Sequence, residues 1–216
     1  MIKFPDTTRV GKNVPKNVFY KHLEVSTKMK RIFVNDVERI NWAYKFAPST
    51  LNVSDGKFVH EITVFEVGMK VMECPTEMFV FIDKNFPRHT IFILSNEDRR
   101  CAVINYKEAV QGNSAQPYKV TKTYQSAWQT SDELTLQLNG TSMDAIYENL
   151  VRQVAGEHIS ETSGSLKEDI AISQEQEALR KEIETLKKRV AAERQPQKKF
   201  MLHKQLKELE KKLKLK

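Results

Sequence analysis

The chain holds 216 residues, 40% hydrophobic and 29% charged, with seven glycines, seven prolines and two cysteines. This composition excludes a fibrous chain, a disulfide scaffold and a cysteine-based zinc ribbon, and no apolar run approaches the roughly 18–20 residues of a membrane span. The net charge of +7 is uneven: residues 187–216 carry 12 Lys/Arg against 3 Glu, whereas residues 1–186 carry 23 Lys/Arg against 25 Asp/Glu. The isoelectric point near 9.3 therefore belongs to the last thirty residues. The stretch Met1-Ile2-Lys3-Phe4-Pro5-Asp6 has no apolar segment of a secretory signal, and the sparse cysteines predict a reduced, cytoplasmic setting.

After an irregular start, Val18-Phe19-Tyr20-Lys21-His22-Leu23 predicts a short helix. A second follows from Thr27, read as its cap, with Met29, Ile32 and Phe33 on one side. From Arg39 the period changes to two: Ile40, Trp42, Tyr44 and Phe46 predict a half-buried strand that ends at Pro48. Phe58 to Val71 carries apolar residues on both faces, the mark of a central strand. Thr76 is read as the cap of a helix carrying Met78, Phe81 and Ile82, which must stop before Pro87. His89–Leu94 and Arg100–Tyr106 predict two strands turning at Asn96-Glu97-Asp98. Residues 111–117 read as a loop, Tyr118–Tyr124 as a polar edge strand, and Leu134, Leu136 and Leu138 as another strand. Ser142 caps a helix whose Met143, Ile146, Tyr147, Leu150, Val151 and Val154 form one amphipathic face, and Gly156 stops it. The expected class is α/β, a mixed α+β sheet domain over residues 1–156 with the element order of a restriction-endonuclease-like core.

Residues 157–165 are polar and read as a linker; residues 166–216 are almost wholly helix-forming. Leu179, Ile183, Leu186 and Val190 step by 4, 3 and 4, and Leu202, Leu206, Leu209 and Leu213 repeat those steps out of phase. Pro196 stands between the two runs. Proline is costly inside a helix and cheap in its first turn. Two helices bent at Arg194-Gln195-Pro196-Gln197 into an antiparallel coiled-coil hairpin, the first about 22 residues long, satisfy both facts. A kinked helix pairing with a second copy is the alternative.

Motifs for chemistry are sparse. No glycine-rich phosphate loop is present, and the five histidines never take ligand spacing. Neither a cofactor nor a metal is therefore expected. Cys101 falls within a predicted buried strand, where a packed thiol is expected rather than a nucleophile. Trp128 is read as packing rather than as a base-stacking platform. The nuclease-like element order draws attention to Asp55, Glu61, Glu66 and Lys70 as candidate metal-binding and charge-stabilising groups. Glu61-Ile62-Thr63 departs from the acid–x–Lys pattern such a site requires.

Four stretches carry a resemblance: Asn41-Trp42-Ala43-Tyr44-Lys45-Phe46-Ala47-Pro48 through Leu51-Asn52; Val59-His60-Glu61-Ile62-Thr63-Val64-Phe65; Ile82-Asp83-Lys84-Asn85-Phe86-Pro87 with Ile91-Phe92; and the tail from Glu193 to Leu206. They resemble a bacterial and archaeal family catalogued as domain-of-unknown-function family 4391. Pro196 departs from the tails of similar proteins. The resemblance implies a small partner of DNA methyltransferases or helicases in restriction-modification or antiviral defence assemblies, and it assigns no catalytic residue.

The expected function is a non-catalytic interaction subunit of a DNA-directed assembly. Its body meets a larger protein such as a helicase or methyltransferase. Its basic hairpin offers Lys187, Lys188, Arg189, Arg194, Lys198 and Lys199 to nucleic-acid phosphates, with no membrane partner. Two alternatives stand beside it: a divergent metal-dependent nuclease, and an oligomerisation module whose leucine seam makes a homodimer.

Overall fold

The computed structural model describes residues 4–21, 25–110, 118–162 and 164–214. The predicted loop 111–117 and His22 lie outside the described residues. The chain divides into two compact units, Met1–Gly156 and Glu157–Lys216.

The first unit is a mixed sheet with helices on both sides. A 3-10 turn leads into β1 (Arg9–Asn13), then come α1 (Val18–Lys21), α2 (Thr27–Asn35), β2 (Val37–Phe46) and α3 (Pro48–Leu51). These are followed by β3 (Ile62–Met69), α4 (Thr76–Lys84), β4 (His89–Asn96), β5 (Arg99–Ala109), β6 (Tyr118–Gln125), β7 (Gln129–Thr130) and α5 (Met143–Ala155). The strands lie side by side in chain order, β1 to β6, with β7 added to β5. Neighbours are antiparallel except β3 and β4, which run parallel. A parallel pair needs a crossover, and α4 supplies it. The segment α2–β2–β3–α4–β4 thus keeps the expected order of helix, strand, strand, helix, strand.

Strand alternation divides the core. Phe65 and Val67 of β3, Phe92 and Leu94 of β4, and Cys101 and Val103 of β5 meet Phe33 of α2 and Met78, Phe79 and Ile82 of α4. The alternate residues of β4, from His89 through Ile91 to Ile93, are buried towards the opposite side, where Tyr147 of α5 meets the His89 ring.

Several elements differ from the sequence expectation. Ser26, not Thr27, caps α2, its hydroxyl accepting the Met29 N–H at 3.2 Å. Thr76 is the first residue of α4 rather than its cap, and Pro75 precedes it. β2 is not a simple alternation: register shifts between Val37 and Arg39 and between Trp42 and Tyr44 carry successive parts of the strand to opposite faces. β3 is shorter than the apolar run suggested. Phe58 and Val71, at the two ends of that run, are exposed. On the Phe58 side the backbone N–H groups of Lys57, Phe58 and Val59 all turn in to the Asp144 carboxylate. Gly56 allows that turn, since a Cβ there would collide with the Val59 carbonyl and Asp144.

The expected strand at Leu134–Leu138 does not form. Leu134 and Leu136 are buried all the same. The Gln153 side chain of α5 takes both the N–H and the C=O of Gln137 at 2.8 Å, replacing the partner strand that would have drawn this segment into a ladder.

A short 3-10 turn at Gly156–His158 spans the boundary between the units. The second unit continues into α6 (Leu166–Ala192) and α7 (Pro196–Lys214). The segment read as a linker is partly ordered: the N–H and hydroxyl of Thr162 both donate to Asp169 Oδ1 near the start of α6. α6 has 27 residues, longer than the 22 expected. α6 and α7 fold back on each other as a hairpin. Ile183, Leu186 and Leu206 form its core, with Leu202, Leu209 and Leu213 packed against them. Val190 is buried and Leu179 half-buried, so the first leucine run points inward along its length.

Candidate nucleic-acid interface

The hairpin tip is built by three local devices. α6 ends at Glu193, whose extended backbone still donates its N–H to the Arg189 carbonyl. The Glu193 carboxylate then accepts the Gln195 N–H at 2.8 Å. Pro196 begins α7, where its missing N–H costs nothing and its fixed φ suits the first turn.

These devices concentrate charge at the bend. All six predicted cations, Lys187, Lys188, Arg189, Arg194, Lys198 and Lys199, are exposed. They are not equivalent. Lys187 pairs with Glu210 across the hairpin at 3.1 Å, and Lys188 pairs with Glu184 one turn back at 2.8 Å. Among the described residues no carboxylate lies within ion-pair distance of Arg189, Arg194, Lys198 or Lys199. Lys198 and Lys199 occupy the first turn of α7, which has no acidic residue. Cations are disfavoured there by the helix dipole, so local stability does not account for them. Phe200 and Met201 follow, exposed at 70% and 57%. A cleft of about 480 Å³ beside them is lined by Arg189, Glu193, Lys198, Met201, Leu202 and Gln205.

The four residues weighed as a nuclease centre lie in different settings. Asp55 holds the His60 ring at 3.0 Å, which keeps its carboxyl below the usual range. Glu61 is tied to Lys45 at 2.9 Å and to Arg88 at 3.2 Å. Lys70 donates to the Val34 carbonyl. Glu66 lines a cavity that includes none of the other three. Among the described residues no group of three or more His, Cys, Asp or Glu side chains is arranged to hold a metal ion. Cys101 is fully buried, and burial pushes its thiol up to about 12, so it carries no thiolate near neutral pH. Trp128 packs against the core of the first unit.

Two features escape sequence reading. One is a buried polar network. The Lys107 ammonium lies 2.6 Å from the Asp83 carboxylate, with both side chains removed from solvent. Asp83 also accepts from Thr90 and, at 2.6 Å, from Asn105. Lys107 donates in addition to the carbonyls of Asp83, Phe86 and Arg88, where α4 ends. Burial raises the Asp83 carboxyl and lowers the Lys107 ammonium, while their contact and the surrounding hydrogen bonds favour the charged forms. Every donor of the ammonium is used, so the network reads as a tie between α4 and β5. Beside it, His89 meets the Tyr118 ring at 4.8 Å and the Tyr147 ring at 4.5 Å. Burial first, and the Lys107 charge second, push the His89 imidazole down to about 3.

The other is the cavity around Glu66, about 500 Å³, on the sheet surface. Arg9 and Asn13 of β1, Asn41 and Tyr44 of β2, Glu66 of β3 and Arg100 of β5 line it. It had no signal in the sequence beyond the lone acid on an apolar strand, because its other groups come from three further strands.

A mixed α+β sheet domain followed by a basic helical hairpin defines the class of protein. The sequence matches the family model of the domain of unknown function DUF4391 over residues 2–213, and the chain belongs to that family. No curated protein matches it, and no solved structure matches it.

Proposed function

We propose that this protein is a non-catalytic interaction subunit of a DNA-directed assembly, and that its hairpin tip contacts nucleic-acid phosphates. The supporting observation is the cluster of Arg189, Arg194, Lys198 and Lys199, exposed and, among the described residues, without ion-pair partners at the bend, two of them in a helix turn that disfavours them. Exposed Phe200 beside them adds a face on which a base can stack. Contact of this kind reads no sequence. A larger protein, such as a helicase or methyltransferase of a restriction or defence system, is the proposed partner of the first unit.

Four phosphates neutralised on duplex DNA give a slope of log K against log salt of about −3.6. The full chain carrying Arg194→Gln, Lys198→Gln and Lys199→Gln loses three of those contacts, and the slope falls in magnitude by about 2.7. Fluorescence anisotropy with labelled duplex and single-stranded DNA across a salt series measures both. An affinity indifferent to salt, or a slope unchanged by the substitutions, refutes the reading.

A metal-dependent nuclease keeps the support of the element order α2–β2–β3–α4–β4. The scatter of Asp55, Glu61, Glu66 and Lys70 over separate surroundings weighs against it.

A further inference from the structure

β3 is buried along its whole length except at one position, and that position is Glu66. A carboxylate on a central strand normally finds a cation or a donor. Among the described residues Glu66 has neither an ion pair nor a side-chain hydrogen bond, although Arg9 and Arg100 line the same cavity.

The register sets a specific pattern beside it. Asn13 of β1 pairs with Asn41 of β2, and Asn41 pairs with Glu66 of β3, so three polar side chains stand in one row across the sheet. Asn13 Nδ2 donates to Asn41 Oδ1 at 3.2 Å. That bond occupies the Asn41 carbonyl and fixes the amide so that its Nδ2 remains a donor. A donor on β2 therefore stands next to a two-oxygen acceptor on β3, at the roughly 5 Å separation of directly opposed residues. At one end of the cavity Arg100 is held by its Nε donating to Ser131 Oγ at 3.0 Å, with its terminal nitrogens left over. Arg9 stands at the other end, on β1.

We propose that this cavity binds a guanine nucleotide unit. The Watson–Crick edge of guanine offers one acceptor, O6, beside two donors, N1–H and the 2-amino group. Asn41 Nδ2 meets the acceptor, and the two oxygens of Glu66 meet the two donors. Cytosine offers one donor to Glu66. Adenine likewise offers only one, and uracil turns a carbonyl towards the carboxylate. The guanidinium group of Arg100 takes the phosphate, for which its planar donor fork is suited. A cavity of about 500 Å³ lies within the range of ligand sites. The unit has two possible sources, a free nucleotide or an unpaired guanine in a strand. This site shares no residue with the hairpin cations, so either reading stands if the other fails.

The test is calorimetric titration of the full chain with guanosine, cytidine, adenosine and uridine 5′-monophosphates, and with the pentanucleotides TTGTT and TTTTT. Guanosine monophosphate binds at a single saturable site, about tenfold tighter than the cytidine, adenosine and uridine compounds. Glu66→Gln, which keeps the shape of the side chain, removes the guanine preference. Asn41→Asp, which turns the donor into an acceptor, does the same. Arg100→Ala weakens all four nucleotides by a similar factor. The hairpin triple substitution leaves mononucleotide binding unchanged. TTGTT binding tighter than the mononucleotide identifies a strand as the source, and equal or weaker binding identifies the free nucleotide. The proposal is overturned if neither guanosine monophosphate nor TTGTT binds in preference to its competitors, or if the preference survives Glu66→Gln.

Discussion

At the scale of single residues, the first unit rests on groups whose charge is fixed by burial. Lys107 and Asp83 are the clearest pair. Removing one partner strands the other in an apolar interior, and Lys107→Met is expected to cost about 3–5 kcal/mol in urea unfolding. Adding Asp83→Asn to that variant recovers part of the loss, because the remaining charge is gone while Thr90 and Asn105 keep a partner. His89 makes the fold acid-sensitive. Its imidazole is neutral in the folded protein down to about pH 3, whereas in the unfolded chain it gains a proton near 6.5. Between those values the unfolded state binds more protons, so stability falls as pH falls, by about 1.4 kcal/mol per pH unit at the steepest. His89→Phe removes that share of the slope. Unfolding free energies of the two proteins, compared from about pH 7 to 4.5, then diverge by about 2–3 kcal/mol in their pH dependence.

At the scale of elements, what could be read from the sequence depended on whether partners were near in the chain. The hairpin was legible because everything that makes it is local: leucines stepping by 4, 3 and 4, and a proline where a helix must begin anew. α5 was legible for the same reason, with Ser142 capping and Gly156 closing a regular face. Leu134, Leu136 and Leu138 alternate as a strand does, yet a strand needs a neighbour with free backbone groups. Here a glutamine on a distant helix takes that place. The bulges of β2 were equally hidden, since a register shift leaves the pattern of apolar residues almost intact. Glu66 drew notice only as one of four candidate groups for a nuclease centre. The row it forms with Asn13 and Asn41 exists only once the strands are laid side by side. The hairpin core also makes a prediction. Leu206 is the buried residue that α7 contributes to it. Leu206→Ala, at a cost of about 2–5 kcal/mol, is expected to detach α7. Amide exchange over Pro196–Lys214 then accelerates, while exchange in β3, β4 and β5 is unchanged.

At the scale of the whole molecule, charge and apolar surface are divided between two units. The first unit carries the buried polar network and the cavity on its sheet. The second carries little core, and its last thirty residues hold 12 Lys/Arg against 3 Glu. Fields from its tip extend over a Debye length of about 8–10 Å at physiological salt, so the polyanion capture proposed for it would weaken steeply as salt rises. Among the described residues no helix is long and apolar enough to cross a membrane.

The closure of the leucine seam within one chain has a further consequence. Pairing between copies is second order in protein, and its extent falls on dilution; a hairpin is first order, and its extent does not. Ile183, Leu186 and Leu206 meet inside a single molecule, so the bend at Pro196 persists at any dilution. Any ligand of the tip would meet it already formed, the entropy of ordering it having been spent when the chain folded.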